Sequence, residues 1–276
     1  MESMETLAGK AEKEGVKTVR FESELLQRTV LIDLYETEEI DNVGGRNLLL
    51  VNDGGQLRQA GMDGLLKGEG GIPLLPLTVA AIHGGENREQ ELGMSTGPDY
   101  LGRGTKAAWY EQFVISELLP FLGERQERRS FRETAIAGFG QGALSAFDIA
   151  WNNPDIFNKV GVLSGIMGWR SVAREDRRYD DSQHRMLHLQ VRNGTFRRGM
   201  KFFFQCGFTN DGQDLNRNGV IDSVDDTIDL MRELVRKGYQ EGAGIRYVQD
   251  GKSRPGEWLS SFQRFLQWGW IADTSN

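Results

Sequence analysis

Five oxygen-bearing side chains, Asp214, Asn216, Asn218, Asp222 and Asp225, fall at places 1, 3, 5, 9 and 12 of one twelve-residue run. Gly219 stands at place 6, where such a loop turns sharply, Val220 at place 7 can offer its carbonyl, and Ile221 at place 8 is an apolar anchor. Hard cations such as Ca²⁺ need many oxygens in flexible geometry, and this spacing supplies them. Asp225 is one methylene shorter than the glutamate of strong sensors, and Asn216 and Asn218 are neutral. The expectation is therefore a structural Ca²⁺ of modest affinity; the competing reading is an ordinary Asp/Asn/Gly surface turn.

A second constellation is notable for what its centre lacks. An apolar run, Thr134–Ala137, enters Gly138-Phe139-Gly140-Gln141-Gly142, and a helical pattern, Ala143–Trp151, leaves it. Glycines at alternate positions suit a sharp strand–turn–helix in which the two elements approach too closely for side chains. A Ser at the middle of such a turn is the nucleophile elbow, G-x-S-x-G. Here the middle residue is Gly140, which has no side chain to form a covalent intermediate. Ser145 lies more than a turn into the following helix, Ser164 ends a strand, Ser253 has no identifiable partner, and Lys252 could act as a base only if desolvated, with a solvated loop lysine as the ordinary reading.

The elements that must carry these residues alternate in type. Lys17–Ser23 and Arg28–Tyr35 read as a hairpin, and Asn47–Val51 and Leu77–Ile82 as strands buried on both faces. Gln56–Leu66 reads as a short helix and Lys106–Leu122 as a longer one. Between them lies a glycine-rich polar stretch, His83–Gly104, of a length usually functional or lid-like. Thr134–Ala137, Val160–Leu163, Lys201–Gln205 and Ile245–Val248 read as further strands. Ala143–Trp151, Asp226–Lys237 and Trp258–Trp268 read as helices. This alternation predicts an α/β fold with a mostly parallel sheet of about eight strands and helices on both faces. Residues 1–16 read as a polar tail and 17–276 as one domain.

Composition sets the bounds. The chain has 276 residues, with 33 Lys and Arg against 40 Asp and Glu, a net charge of −7. An acidic balance argues against gripping nucleic acid or an anionic membrane by net charge. The single Cys206 excludes an intrachain disulfide framework. No run approaches a membrane span, and the polar N-terminus lacks the apolar core of a secretion signal, so cytoplasmic residence is expected.

The segment AIAGFGQGALSAFDIAWNNPDIFNKVGVLSG resembles the elbow, helix and next strand of the putative-esterase group of α/β-hydrolases, which includes esterase D-like and enterochelin esterase-like proteins. FESELLQRTVLIDLY, LLLVNDGGQL, VAAIHGGENREQELG, PDYLGRGTKAAWYEQFVISELLPF and KFFFQCGFTNDGQDLNRNGVIDSVDDT extend the resemblance over most of residues 17–270. It implies an α/β-hydrolase fold and carboxylic-ester chemistry by a Ser–His–acid triad. The family serine falls on Gly140. The family histidine precedes the last helix, and residues 250–257 contain none. The family acid falls on Asp211. An oxyanion hole would use the backbone N–H of Gln141 and one from the Asp53-Gly54-Gly55 turn.

Other residues compete for the same pocket. His83 ends a strand at the carboxyl edge of the sheet, where ligands bind in open α/β folds. Trp169 and Arg170 are candidates for a pocket wall and an anion clamp, with ordinary packing as the alternative; Tyr100 and Arg103 are similar. His184 and His188, four apart, read as surface or packing residues, and Trp258, Trp268 and Trp270 as core. Three function classes follow. The first is a pseudo-esterase that binds a small carboxylate or ester, or a partner, without turnover; the others are an active ester hydrolase with a non-standard nucleophile or activated water, and a structural scaffold. Homodimerisation is a further expectation.

Overall fold

The computed structural model describes residues 16–38, 44–67, 73–125, 130–207, 213–215, 217–250 and 258–272. Eight strands form one sheet: β1 (Val16–Ser23), β2 (Arg28–Glu36), β3 (Asn47–Asn52), β4 (Leu77–Ile82), β5 (Thr134–Phe139), β6 (Lys159–Leu163), β7 (Lys201–Gly207) and β8 (Ile245–Asp250). Their order is β1-β2-β4-β3-β5-β6-β7-β8. β1 and β2 pair antiparallel as the predicted hairpin, β2 pairs antiparallel with β4, and every other pairing is parallel.

The helices are α1 (Met62–Leu66), α2 (Arg88–Glu91), α3 (Ala107–Gln112), α4 (Leu119–Glu124), α5 (Gln141–Asn152), α6 (Asp181–His184), α7 (Met186–Asn193), α8 (Asp222–Lys237) and α9 (Trp258–Trp270). The predicted helix at 56–66 is instead a 3₁₀ turn, Gly54–Gln56, followed by α1. The predicted helix at 106–122 is α3 and α4 joined by a π-helical segment, Phe113–Leu118. Pro120 stands two residues beyond it, has no N–H to give back to the preceding turn, and wider winding accommodates it. α8 begins at Asp222, four residues before the sequence pattern suggests.

Strand periodicity sorts the core into two layers. Leu48, Leu50, Ile136, Val160, Val162, Phe202 and Phe204 pack on one face of the sheet, with Phe147 and Trp151 of α5 and Leu230 and Leu234 of α8. Leu49, Val51, Ala135, Ala137 and Phe203 pack on the other, with Phe262, Phe265 and Trp270 of α9. Successive residues of a strand point to opposite faces, so the triplet Phe202-Phe203-Phe204 serves both layers. Strands that must fill both sides read as unbroken apolar runs, which is why NLLLV and LTVAAI were legible. Trp270 is fully buried and Trp268 partly buried against this second layer; the Trp258 side chain lies outside the described residues.

The topology fixes where a ligand would sit. The chain passes from β3 to β4 on one side, then crosses over β3 to continue with β5 to β8 on the other. Such a reversal opens a crevice at the carboxyl ends of the two central strands, here β3 and β5. Those ends carry Asp53-Gly54-Gly55 and Gly140-Gln141.

Candidate functional site at the carboxyl edge of the sheet

The three glycines of the elbow serve three different needs. A Cβ on Gly138 would sit inside the van der Waals envelope of the Gly142 carbonyl and 2.8 Å from the Ala143 nitrogen. A Cβ on Gly142 would lie 3.1 Å from both Asn52 O and Asp53 Cβ. These two glycines let α5 rise directly off β5 and beside β3. Gly140 has φ 54° and ψ −118°, a left-handed backbone, yet a Cβ there would meet nothing within 4 Å. The position where relatives are expected to carry a hydroxyl thus opens onto free space.

The elbow is held by its neighbours. Gly140 N–H donates to Leu163 O at 3.2 Å, and Gly140 O accepts from Ile166 N at 3.1 Å. Asn52 Nδ2 donates to Gly142 O at 3.2 Å, while the Tyr110 hydroxyl donates to Asn52 Oδ1 at 2.9 Å. The first N–H groups of a helix have no partner within it, so those of Gln141 and Gly142 are available to a ligand oxygen. The Gln141 side chain turns away, donating to Glu89 O at 2.9 Å and Leu92 O at 2.6 Å.

Asp53, Gly140 and Ser164, which follow the neighbouring strands β3, β5 and β6, all have positive φ: 60°, 54° and 47°. Asp53 pairs with Arg88 of α2, which raises that guanidinium further through its hydrogen bond and charge. Gly54 packs on Ala81, and Gly55 on the imidazole of His83. Ser164 donates Oγ–H and N–H to Gln205 Oε1, both at 3.1 Å, and is a structural residue. Ser145 is buried within α5.

The glycine-rich stretch after His83 is a fixed wall. Gly93 and Gly104 take up positive φ against the Trp169 ring, and Trp169 Nε1 donates to Gly97 O at 3.2 Å. Ser95 N–H donates to Asp148 Oδ2 at 2.7 Å; burial pushes the Asp148 carboxyl up to about 6, against the pull of its bonds to Ser95 and Gln190. Trp169 is therefore fully buried beneath this wall rather than lining an open pocket. Arg170 is spent on Asp226, at 2.7 and 3.0 Å, on the Tyr179 hydroxyl and on Gly168 O, so it is not an anion clamp. Arg103 pairs with Asp99 over the Trp169 ring, and Tyr100 is exposed.

His184 and His188 do not share a helix face, because the chain breaks at Arg185 between α6 and α7. His188 is buried; burial and the Arg185 charge push its imidazole down to about 3, which keeps it neutral. Asp211, Asn216 and the stretch 251–257 lie outside the described residues.

In the loop before α8, Asp214 accepts from Asn218 N at 3.1 Å and Gly219 N at 2.9 Å. Asn218 Nδ2 donates to Asp225 Oδ2 at 2.7 Å, which sets places 1, 5 and 12 side by side. Gly219, at φ 86°, makes the sharp turn. Asp222 at place 9 is drawn aside by Arg174 at 2.6 Å. Among the described residues no group of three or more His, Cys, Asp or Glu is placed to hold a metal ion, and no helix is long and apolar enough to cross a membrane.

Asn52, Asp33 and Asp226 have supporting roles that the motifs do not reveal. The first two were signalled by polar residues standing in apolar runs, NLLLVN and LIDLY.

A mostly parallel sheet, a strand–turn–helix elbow at its switch point and a neighbouring glycine turn define an α/β-hydrolase. The family model described as Putative esterase matches residues 73–213, and the chain belongs to that family. Among solved structures, it resembles the enterochelin esterase of Shigella flexneri at 20% identity and a TM-score of 0.67, covering 93% of this chain and 58% of that one. It thus spans little more than half the length of that enzyme. The siderophore hydrolase EstB of Aspergillus nidulans aligns at 14% identity and TM-score 0.64, over 97% and 98% of the two chains. An IroE-like serine hydrolase of Shewanella oneidensis aligns at 17% and 0.62, over 91% and 78%. No curated protein matches the chain.

Proposed function

We propose that this chain is a pseudo-esterase, a member of its family that binds a small carboxylate or ester at the elbow without forming an acyl-enzyme. The observation that carries this reading is glycine at position 140 with open space around it. A serine hydrolase needs an oxygen there to attack the substrate carbonyl and an imidazole to take its proton. The chain has neither the oxygen nor a histidine between residues 250 and 257. Asp211 stays as the relic of the acid. Backbone donors need no particular side chain, so the N–H groups of Gln141 and of the Gly54-Gly55 turn still suit an anionic oxygen.

The expected result is no labelling by a fluorophosphonate probe and no hydrolysis of p-nitrophenyl acetate above background. Small carboxylates are expected to shift amide resonances of residues 53–55 and 140–142. Probe-sensitive turnover would overturn the reading.

We also propose that the loop 214–225 binds Ca²⁺ in a structural role. Asp214, Asn216, Asn218, the Val220 carbonyl, Asp222 and Asp225 would hold it, and the convergence of Asp214, Asn218 and Asp225 supports this. The Arg174–Asp222 pair competes with full coordination, so affinity should be modest. Titration of metal-free protein with Ca²⁺ should release or absorb heat and raise the melting temperature, and Asp214→Ala should abolish both. Absence of heat and of any thermal shift in the parent protein would remove the claim.

A further inference from the structure

The pair formed by His83 and Asp33 stands beside the elbow and takes no part in it. Asp33 lies in an otherwise apolar stretch of β2 and is fully buried. A carboxylate is costly there unless paired. Thr18 Oγ1 donates to its Oδ1 at 2.6 Å, His83 Nε2 lies 2.9 Å from Oδ2, and Arg58 is 3.9 Å away. Burial alone would raise the Asp33 carboxyl; the bonds from His83 and Thr18 and the nearby positive charge outweigh it and hold the group below the ordinary carboxylate range. An ionised carboxylate only accepts, so Nε2 carries the ring proton and donates it to Asp33. In the neutral imidazole, Nδ1 then holds the lone pair.

That lone pair has a defined outlook. A Cβ built on Gly55 would have Nδ1 as its nearest His83 atom, at 3.2 Å. The His83 side chain is 27% exposed, in contrast with its fully buried partner. In the neutral imidazole an acceptor therefore stands on the β4 side of the Gly54-Gly55 turn.

We propose that His83 Nδ1 recognises a hydroxyl group, and that the ligand is a carboxylate or ester bearing an alcohol at its far end. This rests on the crevice reading above. An anionic group at Nδ1 is disfavoured by the Asp33 charge behind it, whereas a neutral O–H donor matches the lone pair. Strands are ~4.8 Å apart, so the ends of β4 and β5 are separated by roughly 10 Å, and the hydroxyl must lie several bonds from the carboxyl group.

The test uses the full chain labelled with ¹⁵N in its three histidines, at pH 8, with hexanoate, 6-hydroxyhexanoate and 6-aminohexanoate as probes. The expected His83 tautomer is Nε2–H. The hydroxy acid should bind about fivefold more tightly than hexanoate, the gain of one ordinary hydrogen bond. Gly55→Ala, whose methyl group crowds Nδ1, should erase that preference. A proton on Nδ1 in the parent protein, equal binding of the two acids, tighter binding of the amino acid, or a preference that survives Gly55→Ala would each overturn the His83 assignment alone. Failure of every probe to bind would overturn the crevice reading with it.

Discussion

Gly138→Ala is expected to cost more than 3 kcal/mol or to prevent folding, while Gly140→Ala, two residues away, costs less, ~1–3 kcal/mol. The two glycines differ in what surrounds them. At Gly138 the added methyl group meets main-chain atoms of Gly142 and Ala143, which cannot rotate aside as a side chain could. Relief would need α5 to lift off β5, and α5 is buried almost along its whole length. At Gly140 the methyl group enters open space, and the cost is the left-handed backbone alone. Gly140→Ser should fold equally well and remain weakly reactive at best, since no imidazole stands between residues 250 and 257. Denaturant titrations of the alanine variants check the order; equal losses would mean that the elbow is not built as described.

Asp226→Ala is expected to lose about 3–5 kcal/mol, the usual cost of stripping one partner from a buried ion pair. Asp226 accepts from Arg170 Nη2 and Arg185 Nη2, at 2.7 and 2.9 Å for the nearer oxygen. The two guanidinium side chains are only 11% and 9% exposed. Removing the carboxylate takes a partner from both and strands Arg170. Asp229 retains a 2.8 Å contact to Arg185, but Arg170 keeps no other carboxylate among its described partners. The urea midpoint should fall with little change in slope. Adding Arg170→Met should recover part of the loss, because the stranded charge goes with it. A loss below 1 kcal/mol would show that water reaches the cluster.

Much of the fold was legible because its signals are local. β4 was bounded correctly, since LTVAAI is an unbroken apolar run set between polar stretches. The elbow was visible as glycines at alternate positions between a strand pattern and a helix pattern. Other features depend on partners far along the chain. Arg170 looked available because Asp226, 56 residues later, cannot be paired with it from spacing. Trp169 looked like a wall because its cover, Gly93 and Gly104, arrives from an earlier loop. The split between α6 and α7 turns on the conformation of Arg185, with φ −84° and ψ 85°, which no residue type announces. Asp33 could have been flagged as a charge within an apolar strand, but its histidine partner could not.

The run of positive φ angles after β3, β5 and β6 makes the rim of this crevice largely main chain. Amide dipoles oriented by the course of the polypeptide are indifferent to which side chains evolution places around them. Point substitutions can therefore repaint the rim while the polarity of its main chain persists, and only a deformation of the scaffold would silence it.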